Sequence, residues 1–186
     1  MRLSKPIEIE GVSQTLAKGN CPVCVFLKNS QSALLQGGLS PEEVSGVCNF
    51  HAWALAAAVN IANAAKVFQN LLRLGCDGSQ ECSFCRHLRE AEKAQLKELV
   101  GQLDRHLVLD WIMHHGVLCR PHSRRIRHVA PVRLHSAIDE IDRRTCSDLN
   151  SELENLIARS SDGERAGAGV LGHVAEFLMS QRGVNG

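Results

Sequence analysis

Eight residues of this chain fall into four short pairs that repeat one order. Cys21-Pro-Val-Cys24 is followed by Cys48-Asn-Phe-His51, and Cys82-Ser-Phe-Cys85 by Cys119-Arg-Pro-His122. The chain runs CxxC, CxxH, CxxC, CxxH, so each half supplies three thiols and one imidazole. Two residues between paired ligands let both reach one ion, and three thiolates with one imidazole form a closed tetrahedral zinc set. A single CxxC also fits a redox dithiol. Two of them, each followed by CxxH, point to metal. The candidate ligands are therefore Cys21, Cys24, Cys48, His51, Cys82, Cys85, Cys119 and His122, holding two zinc ions.

The two halves also match around the second pair. Gly46-Val47-Cys48-x-x-His51 aligns with Gly116-Val117-Leu118-Cys119-x-x-His122 with one residue inserted, as in a duplicated supersecondary unit. Sequential pairing is the expectation: Cys21, Cys24, Cys48 and His51 on one ion, the other four on the second, because each repeated hairpin can then close alone. A cross-braced alternative has one all-cysteine site and one of two cysteines and two histidines.

Sequential pairing imposes a turn. Cys85 and Cys119 are separated by 33 residues. One straight helix over that span would hold them roughly 50 Å apart, so the chain must reverse. Gly101 to Asp104 is the expected reversal, with Leu107 and Trp111 on the returning helix. Gly37-Gly38 plays the same part between Val25–Leu35 and a short helix at Pro41.

The remaining pattern is helical throughout, and no sustained alternation marks a strand. Ser40-Pro41-Glu42-Glu43 reads as an N-cap, a first-turn proline and two acids, opening a helix that ends near Gly46. Apolar Ala57, Ile61, Ala64, Phe68 and Leu71 recur at helical spacing, predicting one long helix from His51 to Leu74 that stops at Gly75. A further helix begins around Cys85 with Leu88, Leu96, Leu99 and Leu103 inward. Another spans Val132 to Ala158 and carries Ile138, Ile141, Leu149, Leu153 and Leu156. Ser160 to Gly169 reads as a flexible linker before a last helix, Val170 to Gln181, with Val170, Val174, Phe177 and Leu178 for docking. The expected architecture is a single all-α domain: metal-clamped hairpins over about 17–75 and 79–130, then a helical extension over about 131–186.

Taken together, CPVC, GVCNFHAW, CSFCRHLREAEKAQLKEL, GVLCRPH and the closing VAEFLMSQRG resemble a prokaryotic family of helical proteins with duplicated CxxC…GxCxxH metal-binding motifs. The resemblance spans most of the chain. It departs in the last helix, where relatives tend to carry a tryptophan and this chain has none. It implies a helical metal-binding fold and carries over no activity.

Lys plus Arg (21) balances Asp plus Glu (20), so no global field selects nucleic acid or an acidic membrane. The one local exception is Arg120, Arg124, Arg125, Arg127 and Arg133, with no acid between Asp110 and Asp139. That cluster can contact phosphates, and nucleic-acid binding is one alternative reading. The bland reading pairs it with Glu140, Asp142 and other acids, and is preferred because no aromatic residue lies within the cluster. MRLSKPIEIEGVSQ has no apolar h-region, and the most apolar stretch, Ala52 to Ala65, is broken by Asn60 and Asn63. A cytoplasmic location without membrane insertion is expected, where cysteines ligate metal in preference to forming disulfides.

Other conspicuous residues take structural roles in this reading. Cys146 shares a helical face with Leu149 and Leu153 and is expected to be a buried small hydrophobe. Cys76 is a spare thiol before Cys82. His87 is expected to face solvent, and His114 and His115 to end a helix. Trp53 and Trp111 are expected to pack around the metal clamps. No glycine-rich phosphate loop, HExxH or Ser-His-Asp order is present, and no catalytic residue is assigned. The functional expectation is a non-catalytic module with two structural zinc sites that binds a protein partner. An iron–sulfur or thiol-redox protein is the alternative.

Overall fold

The computed structural model describes residues 20–75, 80–103, 117–160 and 168–179. Among them are seven α-helices and no strand, so the chain is all-α, as its periodicity predicts. They are α1 (Pro22–Ala33), α2 (Asn49–Ala56), α3 (Ile61–Arg73), α4 (Ser83–Leu103), α5 (Arg120–Val129), α6 (His135–Ser160) and α7 (Ala168–Met179). The described chain divides into two compact units. One is Phe26–Ala94; the other joins described residues of Met1–Val25 and Gln95–Asn185.

In the Phe26–Ala94 unit, α1 gives way to a π-type turn, Leu34–Gly38. Gly37 holds a φ of +114° there, a conformation that disfavours any side chain. A 3-10 turn, Pro41–Glu43, replaces the expected helix and ends before Gly46. Its start is tied by the Ser40 backbone N–H, which donates to the Glu43 carboxylate at 2.8 Å. The Asn70 side chain donates to the carbonyls of Pro41 (2.8 Å) and Val44 (3.3 Å), fixing this turn on α3. Leu34, Leu39, Val44, Leu55, Ala64, Val67, Leu71 and Phe84 form the buried core, with Cys82 among them.

The expected long helix from His51 to Leu74 is two helices. It breaks after Ala56, and Asn60 caps the restart, its side-chain oxygen accepting the Asn63 N–H at 3.1 Å. The restart shifts the buried face: Ala64, Val67 and Leu71 are buried, while Ala57 and Ile61 are exposed. Gly75 follows the end of α3, as expected.

In the other unit, α5, α6 and α7 pack on one another, and a 3-10 turn, Val132–Leu134, leads into α6. Ile126, Leu134, Ile138, Ile141 and Phe177 are buried. On α4, Leu96, Leu99 and Leu103 are inward, as predicted, while Leu88 is half-buried. Leu149, Leu153 and Leu156 of α6 are half-buried, and Leu178 of α7 is exposed. Gly101 does not make a reversal, because α4 continues through it to Leu103. Leu107, Trp111, His114, His115, Cys76 and most of the Ser160–Gly169 stretch lie outside the described residues. No described helix is long and apolar enough to cross a membrane.

Candidate metal centres

All four motif pairs adopt one local geometry. The first residue of each pair precedes a helix, and its carbonyl accepts the first helical hydrogen bond. Cys21 receives the Val25 N–H (3.1 Å), Cys48 that of Ala52 (2.9 Å), Cys82 that of Arg86 (3.0 Å) and Cys119 that of Ser123 (2.8 Å). The second residue of the pair lies three positions on, in the first turn, which places both donors on one side of the helix start. Pro22 and Pro121 lie between the paired ligands, at the first or second helical position, where a missing N–H costs nothing. Helix N-termini carry partial positive charge, so each pair is set where a thiolate is stabilised.

The eight candidates assemble into two sets of four. Cys21 and Cys24 at the start of α1 meet Cys119 and His122 at the start of α5. Cys48 and His51 at the start of α2 meet Cys82 and Cys85 at the start of α4. The expected sequential pairing is therefore wrong: Cys21 and Cys24 do not join Cys48 and His51, and Cys82 and Cys85 do not join Cys119 and His122. The pairing is nested, first motif with fourth and second with third. The cross-braced alternative also fails, because each set keeps three thiols and one imidazole. With this pairing, the closure argument that placed Cys85 and Cys119 on one ion falls away.

The second and third motifs meet because the backbone joins them. Ser83 donates its backbone N–H to the Gly46 carbonyl at 3.0 Å, and Ser45 donates its own to the Ser83 hydroxyl at 3.1 Å. Gly46 permits this approach: a Cβ there would lie 2.7 Å from the Glu81 carbonyl oxygen. The glycine of the GVC motif is thus a packing requirement, read in the sequence as a helix end and a repeat marker.

A zinc tetrahedron with ordinary bond lengths has S···S edges of about 3.8 Å and S···N edges of about 3.5 Å. In the α2–α4 set, Cys48 and Cys85 sulfurs are 3.8 Å apart. The His51 Nδ1 lies 3.3, 3.5 and 3.4 Å from the sulfurs of Cys48, Cys82 and Cys85. In the α1–α5 set, Cys24 and Cys119 are 3.5 Å apart. There His122 Nδ1 lies 3.5, 3.3 and 3.0 Å from Cys21, Cys24 and Cys119. Most of these spacings lie within about 0.3 Å of such edges, the His122–Cys119 one at 3.0 Å being shorter, and all are far beyond the roughly 2.05 Å of a disulfide.

Charge in each set is strained by proximity. Burial pushes the Cys21 thiol up, but contacts with Cys119, Cys24 and His122 outweigh it and hold Cys21 well below the usual range. Cys119 is driven far up by its bonds to Cys21 and Cys24, with burial adding to them. Burial, Cys82 and Cys48 push Cys85 up to about 12. Burial likewise raises Cys48, yet backbone groups of the α2 start and the neighbouring thiols bring it below its ordinary value. A cation held among the sulfurs would offset this mutual repulsion. Burial lowers the His51 imidazole, favouring the neutral form that ligates metal. Its ring stacks on Phe84 (centroids 5.4 Å apart) and meets Phe50 edge-on (5.1 Å). Its Nε2 is buried and makes no hydrogen bond, so aromatic packing orients this ring.

The remaining expectations divide. Trp53 is 73 % exposed, which corrects its assignment to packing around a clamp. Helix α2 turns His51 and Leu55 inward, and the residue midway between them points away. Cys146 is also exposed, not buried; its sulfur lies 3.7 Å from a guanidinium nitrogen of Arg120. The buried stripe of α6 runs through Ile138, Ile141 and Thr145, and Cys146 is turned about 100° from Thr145. His87 is half-buried and belongs to neither set. In the arginine cluster, Arg120 pairs with Asp142 at 3.6 Å and stands 5.4 Å above the Phe177 ring. Arg127 pairs with Asp139 at 3.1 Å, while Glu140 is paired with Arg143. The described residues thus provide a helical scaffold and two thiol–imidazole sets that could hold metal. Comparison with family models, with curated proteins and with solved structures finds no match.

Proposed function

We propose that each set holds one zinc ion as a closed structural site, and that the chain is a non-catalytic, zinc-stabilised helical module that binds a protein partner. The observation that carries the metal reading is the gathering of eight donor atoms into two sets of four, the atoms of each set lying within 4.8 Å of one another. Three sulfurs and one imidazole suit zinc in preference to hard cations. An iron–sulfur cluster is a weaker reading, since it usually takes four cysteines and spreads them around several iron atoms. With four protein ligands the ion has no open position for substrate or activated water, so its work is to fold the chain. Structural zinc contributes on the order of 10–16 kcal/mol in small modules, enough to decide whether they fold.

The partner reading draws support from α2, the loop after it and the start of α3. Phe50 (43 %), Trp53 (73 %), Val59 (90 %) and Ile61 (77 %) are exposed, and tryptophan is enriched at protein contact surfaces. Reduced thiol sites fit a reducing compartment such as the cytoplasm. Elemental analysis of untagged, reduced protein tests the metal: two zinc ions are expected, with sulfur-rich coordination by X-ray absorption. One metal or none counts against the two-site reading, and iron with labile sulfide favours the alternative. Trp53→Ala, retaining both metals, is expected to lose a partner captured by the intact protein.

A further inference from the structure

The two sets differ in how far oxidants can reach them. In the α1–α5 set every ligand is buried: Cys21 is 5 %, Cys24 0 %, Cys119 2 % and His122 0 % exposed. In the α2–α4 set Cys82 and His51 are buried, but Cys48 and Cys85 are both only half-buried. Their sulfurs form one edge, 3.8 Å long. A thiolate pair that is both close and accessible is the arrangement that oxidises selectively.

We propose that Cys48 and Cys85 are an oxidant-sensitive edge: a hydroperoxide couples them into a disulfide and releases the metal of that site, while the α1–α5 site keeps its own. This inference rests on the metal reading above and adds a regulatory property to one of its two sites. The chemistry balances with the peroxide as two-electron oxidant. One thiolate attacks a peroxide oxygen, the O–O bond breaks, and hydroxide leaves a sulfenic acid on that sulfur. The second thiolate attacks the sulfenic sulfur; the S–S bond forms, the S–O bond breaks, and a second hydroxide departs. Each sulfur gives one electron, and a dithiol reductant reverses the change. Cys82 and His51 then remain as two ligands, too few for a structural zinc site. The metal tie between the starts of α2 and α4 is lost, and α2 carries the exposed Phe50 and Trp53. Oxidation thereby acts on the surface to which a partner is assigned.

The test uses the full chain carrying Cys146→Ala, because Cys146 is exposed and would consume oxidant. Metal is counted first in untreated, reduced protein. A chain without metal overturns the proposed function at this stage, and the present inference with it. Hydrogen peroxide is then titrated while released zinc is followed with a chromophoric chelator, and disulfides are mapped by peptide mass spectrometry. One of the two zinc ions is expected to leave, together with a Cys48–Cys85 disulfide, and dithiothreitol with added zinc is expected to restore both. Release of both metals together, or a first disulfide through Cys21, Cys24, Cys76 or Cys119, overturns the inference with the metal reading intact. So does full retention of metal at peroxide levels that oxidise a free thiol. Alkylation of the native protein gives a check that needs no ligand variant: Cys48 and Cys85 are expected to label before the α1–α5 cysteines, and the reverse order counts against the proposal.

Discussion

Cys24 and Cys119 bring their sulfurs to 3.5 Å across 95 positions of chain, and the loop that this closes encloses the one that Cys48 and Cys85 close over 37. Nesting costs little. Loop-closure entropy grows with the logarithm of length, so the longer closure is only about 0.8 kcal/mol dearer than the shorter. A few buried side chains outweigh that difference. Substitution of zinc by NMR-active cadmium checks the pairing directly. Cysteine protons of positions 21, 24 and 119 are expected to couple to one cadmium resonance, and those of 48, 82 and 85 to the other.

Loss of one ligand is expected to act within its own unit. Cys24→Ser leaves three ligands at the α1–α5 site, and Cys48→Ser leaves three at the α2–α4 site. Each variant is expected to lose one metal. Hydrogen exchange is expected to rise around Leu39, Val44 and Phe84 in Cys48→Ser, and around Ile126 and Ile138 in Cys24→Ser. A Cys48→Ser protein with two metals and unchanged exchange would remove Cys48 from the ligand set.

Gly46→Ala tests the contact that joins the second and third motifs. Its methyl group would meet the Glu81 carbonyl oxygen at 2.7 Å, and backbone atoms have little room to yield. A destabilisation of about 1–3 kcal/mol is expected, in the range of an overpacked site. Urea unfolding measures it, and the variant is also expected to release metal from the α2–α4 site at lower chelator concentration.

Glu43 supplies a pH test with a defined sign. Its bond to the Ser40 backbone N–H, together with the Ser40 side chain, holds the carboxyl below its ordinary value. A depressed folded value means that the contribution is present above the unfolded pKa, about 4.3, and is lost as pH falls through the folded one. Glu43→Gln is expected to melt at a lower temperature at neutral pH, with the gap closing in acid. The carboxyl is exposed, so the effect is small. A melting series over pH checks both the size and the direction.

The arginines of α5 and the turn after it are expected to be a solvated, internally paired face. Arg127→Ala removes the pair with Asp139 and is expected to cost about 0–1 kcal/mol, as exposed pairs do. Replacing Arg124, Arg125 and Arg127 together with alanine is expected to leave both metals in place. No binding to DNA or RNA at physiological salt is expected from the intact chain or from the variant. Micromolar binding abolished by the triple substitution would establish the phosphate reading instead.

The local chemistry was legible in the sequence. The spacing CxxC or CxxH places two donors on the first turn of a helix wherever it occurs, so all eight candidates could be named before any fold was known. The all-α class followed from 3.6-residue periodicity, and the stop at Gly75 from its residue type. Asn60 was legible too, had it been read as a cap and not only as an interruption of an apolar stretch. What the sequence left undecided was every relation between distant segments. Which motif meets which depends on the packing of Leu39, Val44, Val67, Leu71 and Phe84, and on the Ser83 N–H that docks at Gly46. Repeated motifs contain nothing that prefers one partner over another, because any CxxC can complete any CxxH. Trp53 and Cys146 turned outward for the same reason: a helical face is buried only where another element covers it, and only the tertiary structure decides which face that is.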